Sequence, residues 1–258
     1  QAFCDGALAG YKEQRNLPDR TGTSKLSPHL HFGEISPQRI WRRIGAARLP
    51  EAAQADLLHY RSELGWREFS HHLLHHFPQS SDHDLNPQFE RFEWAEPDPA
   101  LLQRWQRGQT GIPIVDAGMR ELWHTGWMHN RVRMIVASVL CKNLRYHWLH
   151  GARWFWDTLV DADLANNSQG WQWTAGTGCD AAPYFRIFNP VTQSERFDPQ
   201  ARYIKRWLPE LDKVPVPLVF APWRNPGASV LLAPEYPAAP MVDLAESRQR
   251  ALAAYSGR

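Results

Sequence analysis

Apolar residues recur at helical spacing through the first 210 positions of the chain, and patterns alternating as a half-buried strand would are hard to find. Val115, Met119 and Leu122 form one stripe, so Pro113 to Thr125 is predicted to be a helix, closed by Gly126. A second stripe, Met128, Val132, Ile135, Val136 and Val139, predicts a helix from Met128 to about Tyr146; Asn130, Arg133, Met134 and Ala137 share its other face. Ser27-Pro28, Ser36-Pro37 and Asp98-Pro99 each place a capping side chain before a proline at the first helical position, which predicts three more helix starts. Asp243–Tyr255 reads as a closing helix. Eight of the 20 prolines lie between Pro209 and Pro240, so irregular, partly extended chain is expected there. No internal repeat or flexible linker interrupts the pattern, and the fold class that follows is all-α, with residues 1–258 as one unit.

Composition bounds this picture without changing it. A chain of 258 residues, 43% hydrophobic, can bury a sizeable core, as one large domain or two lobes. Its formal net charge is only +2, so any nucleic-acid surface has to be a local patch. Cys4, Cys141 and Cys179 are odd in number and share no metal-ligand spacing, which suits a reduced, cytoplasmic protein. The mostly apolar run Met134–Cys141 is too short to span a bilayer, and no basic-then-apolar leader follows Gln1. A monomer without membrane contact is expected. The 13 tryptophans, however, exceed what packing asks of this length.

Two segments hold the unusual chemistry: DADLANNSQGWQWTAGTG (Asp161–Gly178), and GWMHNRVRM (Gly126–Met134) about thirty residues before it. They set acids, amides and arginines beside oxidisable indoles. Buried polar groups cost free energy unless paired, and a large, flat, polar-edged ligand would pair with all of them. The Asp161-x-Asp163 pattern can equally be a turn that caps the next helix. Thr23, Ser24 and Ser27 precede the helix start at Pro28, where free amides suit a diphosphate; ordinary capping by Ser27 is the alternative. GTGCDA (Gly176–Ala181) matches a dinucleotide-loop pattern, but no strand–loop–helix unit surrounds it, so that site is rejected. HHLLHH (His71–His76) has metal-like i,i+4 pairs, and an exposed helix face explains it better than a metal site.

The stretches TSKLSPHLHFGEIS (Thr23–Ser36), ELGWREF (Glu63–Phe69), TGIPIVDAGMREL (Thr110–Leu122), GWMHNRVRM, DADLANNSQGWQW and DAAPYFRIFNP (Asp180–Pro190) together resemble the FAD-binding domain of class I cyclobutane pyrimidine dimer photolyases, in the photolyase/cryptochrome family. The resemblance runs from about Tyr11 to Leu211, and no motif aligns the chain from Asp212 on. It implies a multi-helix domain without the family's N-terminal α/β antenna domain, hence without an antenna cofactor. FAD, active as reduced FADH−, would be held by Tyr11, Thr23, Ser24, Lys25, Leu26, Ser27, Tyr60, Arg133, Asp161, Ala162, Asp163 and Asn167. Asn167 would lie near flavin N5, and Arg133 would pair with Asp161. Trp94, Trp148 and Trp171 match the family's electron-transfer chain, with a one-residue insertion needed between Trp94 and Trp105.

For DNA carrying a pyrimidine dimer, the resemblance implies a pocket of Glu63, Trp66, Asn130, Met134 and Trp173 for the flipped lesion. Arg15, Arg67, Arg131, Arg186 and Gln193 would contact phosphates or the strand, Arg67 having a structural role as its alternative. The implied activity is light-driven dimer repair by electron transfer from excited reduced FAD, with Glu63, Asn130 and Asn167 at the reacting centre. A cryptochrome-like photoreceptor and a flavin- or DNA-binding domain without repair activity are the rivals; Asn167, where plant-type receptors carry aspartate, favours repair. A photolyase for (6-4) photoproducts would carry a histidine pair where this chain has Asn130 and Met134.

Overall fold

The computed structural model describes residues 2–47, 49–180 and 185–257; Ala181 to Tyr184, within the DAAPYFRIFNP motif, lie outside the described residues. Helices and turns make up the described chain, with no strand among the described residues. None of these helices is long and apolar enough to cross a membrane.

The stripe on Pro113–Thr125 forms the predicted helix, which ends because Gly126 turns left-handed at φ 67°. The following helix starts later than its pattern suggests, at Asn130, because the buried His129 ring accepts the Arg131 amide at 3.2 Å and caps it. It continues past Ser138 as a π-turn, Val139–Asn143, and stops short of Tyr146, since Arg145 adopts φ 56°. Ser36 and Asp98 cap their helices as expected. Ser27 does not: it is the first residue of the Ser27–His31 helix, behind Leu26, and no side chain caps that turn. The proline-rich segment also differs from an extended chain. It folds into short 3-10 turns and a helix, Pro226–Leu232, because the apolar residues between its prolines, among them Val214, Val219 and Phe220, are buried in the main core. The closing helix runs Leu244–Ser256, capped by Asp243.

The main core is built on the helices Pro113–Thr125, Asn130–Ser138, Trp148–Thr158 and Leu164–Ala175, which pack on one another. Two buried polar clusters fasten later segments to it. Asp116 accepts hydrogen bonds from Thr110, the Gly111 amide and the Tyr236 hydroxyl, the last at 2.6 Å. Glu121 accepts from the Tyr203 hydroxyl at 2.6 Å and from the His129 amide at 3.2 Å, which ties helix Arg202–Trp207 to the start of the Asn130 helix. A smaller core of Leu8, Tyr11, Ile40, Ile44, Leu57, Tyr60 and Leu64 lies on the other side of the long helix Gln54–His76. That helix also packs on Leu164–Ala175, and the space between them holds the site.

Candidate functional site

A cavity of about 880 Å³ opens between the helices Gln54–His76, Asn130–Ser138 and Leu164–Ala175, within the range that cofactor and ligand sites occupy. Its inner wall carries the expected ion pair: Arg133 donates from Nη2 to Asp161 Oδ2 at 2.8 Å and from Nε to the Met128 carbonyl at 2.8 Å. The Asp161 side chain is only 2% exposed, and its other oxygen, Oδ1, is buried with no hydrogen-bond partner. A buried acceptor in that position calls for a donor from a ligand. Ala162, Asp163 and Asn167 line the same wall. Asn167 commits its amide nitrogen to the Ala152 carbonyl at 2.9 Å, which fixes the side chain's orientation.

Asp163 forms the capping turn that the Asp-x-Asp pattern allows, accepting the Asn166 amide at 2.9 Å at the start of the Leu164 helix, and it also lies at the cavity. Burial raises its carboxyl, but hydrogen bonds from Asn166 and the nearby His71 and Arg67 outweigh burial and hold it below the ordinary aspartate range. His71 thus departs from the exposed face expected of His71–His76: its Nε2 stands 3.3 Å from Asp163 Oδ2. Among the described residues, no group of three or more His, Cys, Asp or Glu side chains is placed to hold a metal ion.

Trp171 forms part of the cavity wall, packed edge-on against Phe155 at 4.9 Å between ring centres. It fits because residue 151 is glycine: a Cβ there would fall 2.0 Å from Trp171 Cη2. Trp148, one turn earlier on the same helix, is wholly buried, and Trp94 is linked to it through the intervening His147 ring, at 5.1 Å and 5.5 Å between centres. Trp148 and Trp94 are thus joined through His147, and the helix that carries Trp148 also meets Trp171 at Gly151.

The mouth of the cavity carries Trp66, half exposed, together with Asn130, Met134 and Trp173. Arg186 stacks over the Trp173 ring at 5.0 Å. Glu63 and Arg15, read separately from sequence as a base contact and a phosphate contact, form a two-pronged ion pair with each other; Arg15 also meets His59 Nε2 at 2.7 Å. Arg15 is therefore committed to holding the Glu63 carboxylate. Arg67 pairs with its neighbour Glu68 at 2.9 Å and still reaches the cavity. Arg131 lies over the Phe197 ring at 4.3 Å and donates to Asn16.

Several expected residues are not brought to the cavity. Tyr11 is buried in the smaller core, edge-on to Tyr60 at 5.0 Å, and burial pushes its hydroxyl far above the usual range. Tyr60 instead donates to Ser24 Oγ at 2.9 Å and so pins the Thr23–Ser27 loop to the long helix. In that loop Lys25 lies over the Trp127 ring at 4.8 Å, and Leu26 packs on the smaller core. Gln193 is on helix Pro190–Phe197, its Oε1 buried without a partner, and it does not line the cavity. Conversely, the cavity includes His59, Asn16 and Gln169, which the sequence reading left out, and Asn166, which it noted among the polar residues of its segment without a site role. Of these, only Asn166 had a legible signal, three residues after a helix-capping aspartate.

His129, beside the cavity, is strongly perturbed. Burial, followed by Arg131, Arg133, Arg15 and Lys25, pushes its pKa down to about 3, so the ring is neutral. With Nδ1 accepting the Arg131 amide, Nε2 carries the proton, and it is buried without a partner.

Residues 60–257 match the family described as the FAD binding domain of DNA photolyase. A deoxyribodipyrimidine photo-lyase of Agrobacterium fabrum is 50% identical over 260 residues, covering 98% of this chain and 53% of that protein. Its counterpart from Escherichia coli is 47% identical over 256 residues, covering 98% of this chain and 53% of that protein. The crystal structure of a bacterial class III photolyase from Agrobacterium tumefaciens superposes with a TM-score of 0.92 at 48% identity, covering 99% of this chain and 53% of that one. The chain spans about half the length of the curated relatives it matches. By sequence and fold together, this chain belongs to the DNA photolyase family through its FAD-binding domain.

Proposed function

We propose that the chain is the FAD- and DNA-binding part of a light-driven deoxyribodipyrimidine photo-lyase, with residues 1–258 as its catalytic unit. The observation that carries the reading is the buried Asp161 carboxylate, paired on one oxygen by Arg133 and buried without a partner on the other, in the wall of a cavity that Trp171 also lines. An ordinary core would not keep that acceptor unpaired. The residues fit the cofactor: Arg133, Asp161, Asp163 and Asn167 would hold its polar edge, and Trp171 its flat side. When bound, FAD in its reduced form supplies light-driven one-electron chemistry.

The chain's own part is binding, orientation and exclusion of water. Trp66 and Trp173 offer flat walls to a flipped pyrimidine dimer at the mouth, and Asn130 offers an amide to a base edge. Glu63, held by Arg15, presents a fixed carboxylate there. Arg131 and Arg186 give the rim its positive charge, which suits phosphates without reading sequence. The reaction splits carbon–carbon bonds without net oxidation of the DNA, so no nicotinamide cofactor is needed. The motifs suggest class I, whereas one matched structure is a class III photolyase; the proposal concerns the reaction that such enzymes share by name. To test it, the reduced protein is illuminated with a dimer-containing oligonucleotide, and recovery of thymine absorbance is followed. No recovery with flavin and DNA both bound would favour a photoreceptor or a binding module.

A further inference from the structure

The Trp148 indole donates its Nε1–H to Asp84 Oδ1 at 2.7 Å. Trp148 has no solvent exposure, and the Asp84 side chain is only 13% exposed. His147, whose Nδ1 caps the Trp148 helix, brings its Nε2 to 3.8 Å from the same carboxylate oxygen. Burial raises the Asp84 carboxyl, but the nearby His147, the Trp148 hydrogen bond and the neighbouring Thr177 outweigh it and keep the group below the usual aspartate range. Asp84 is therefore an anion fixed against one particular indole. The other two tryptophans of the series lack such a partner: Trp94 Nε1 is buried with none, and among the described residues no carboxylate hydrogen-bonds Trp171.

A fixed negative charge in a water-poor interior stabilises positive charge on the ring it touches more than on rings further away. We propose that Asp84 tunes Trp148 as the favoured holder of an electron vacancy that begins at Trp171. The proposal rests on reading Trp94, Trp148 and Trp171 as a relay. In the step concerned, Trp171 has given one electron to an excited oxidised flavin, the oxidant; Trp148 then gives one electron to Trp171 and restores it. The indole proton stays within the Nε1–H···Oδ1 bond, so on losing one electron to Trp171 the Trp148–Asp84 pair passes from one negative charge to neutral and releases no proton. Returning the vacancy to Trp171 becomes uphill, which lengthens the life of the separated charges. Asp84 acts through Trp148 and is a positioning and tuning residue.

The test replaces the charge while keeping the bond. Asp84→Asn still offers an oxygen to the Trp148 N–H, and Asp84→Ser is a second neutral variant should the first fail to fold. In flavin-loaded protein, flash spectroscopy of the oxidised tryptophan and steady photoreduction with an external donor are compared with wild type. Both yields should fall at least about threefold in the neutral variants, the scale of a lost charge interaction. Asp84→Glu should restore them in part. In the flavin-free protein, the Trp148 N–H resonance should move upfield in Asp84→Asn yet stay protected from exchange. Wild-type yields in a folded neutral variant, with Trp148→Phe blocked, would mean that Asp84 only anchors its loop, and the proposal falls alone. Normal photoreduction in Trp148→Phe would remove the relay, and the proposal with it.

Discussion

Gly151→Ala sets helix propensity against packing, and the structure decides between them. The residue lies inside the helix Trp148–Thr158, where alanine is favoured over glycine by about 1 kcal/mol. Against this, the new Cβ would meet Trp171 Cη2, Cζ3 and Cζ2 at 2.0, 2.4 and 2.6 Å. The ring cannot turn aside freely, because Phe155 and Trp105 flank it at 4.9 and 6.2 Å between centres. Either the helices Trp148–Thr158 and Leu164–Ala175 part or the indole moves into the cavity, and overpacking of this kind costs about 1–3 kcal/mol. With overlap this deep the upper end applies, and after the propensity gain a net loss of about 2 kcal/mol remains. For a chain of this size that lowers the unfolding midpoint by about 4–8 °C. The assay is thermal unfolding of the flavin-free protein, with flavin retention and photoreduction measured alongside. Flavin binding should weaken as well, since the displaced ring forms part of the cavity wall. A variant stabilised by about 1 kcal/mol, as propensity alone dictates, with normal flavin retention, would refute the claim that Gly151 exists to admit Trp171.

Trp171→Phe keeps an aromatic filler but removes the oxidisable ring at the cavity wall; photoreduction of oxidised flavin should collapse while repair by chemically reduced protein survives, and a normal photoreduction rate would reassign the first relay position. Arg131→Ala should weaken binding of damaged and undamaged duplex alike and reduce the salt dependence by about one phosphate contact. Asn130→Ala should instead cost roughly 1–3 kcal/mol on the lesion duplex alone, and equal losses on both duplexes, read from parallel titrations, would remove Asn130 from the lesion pocket. Asp198 is pushed up to about 6 by burial, despite hydrogen bonds from the Ile204 and Tyr203 amides. A raised folded pKa means that its contribution to stability is full below the ordinary carboxylate range and is lost as pH rises through about 6. Denaturant unfolding across that window should show the loss in wild type and not in Asp198→Asn.

The sequence by itself determined the helical class, the Pro113–Thr125 and Leu244–Ser256 helices to within a residue, and the two polar segments that meet at the cavity. These were legible because they depend on local chemistry: a 3.6-residue stripe, a proline after a capping side chain, a glycine free to turn left-handed. The Arg133–Asp161 pair was legible through family resemblance, since nothing local links residues 28 positions apart. Only the tertiary structure decided which partner each polar group takes. It gave Arg15 to Glu63, His71 to Asp163 and Asp84 to Trp148, placed Tyr11 in the smaller core away from the cavity, and folded the proline-rich segment onto the main core. The physical reason is that pairing and burial are set by which surfaces the helices bring together across long stretches of chain. Hydrophobic burial has no direction of its own, and a hydrogen bond chooses its partner only once packing has placed the candidates within reach.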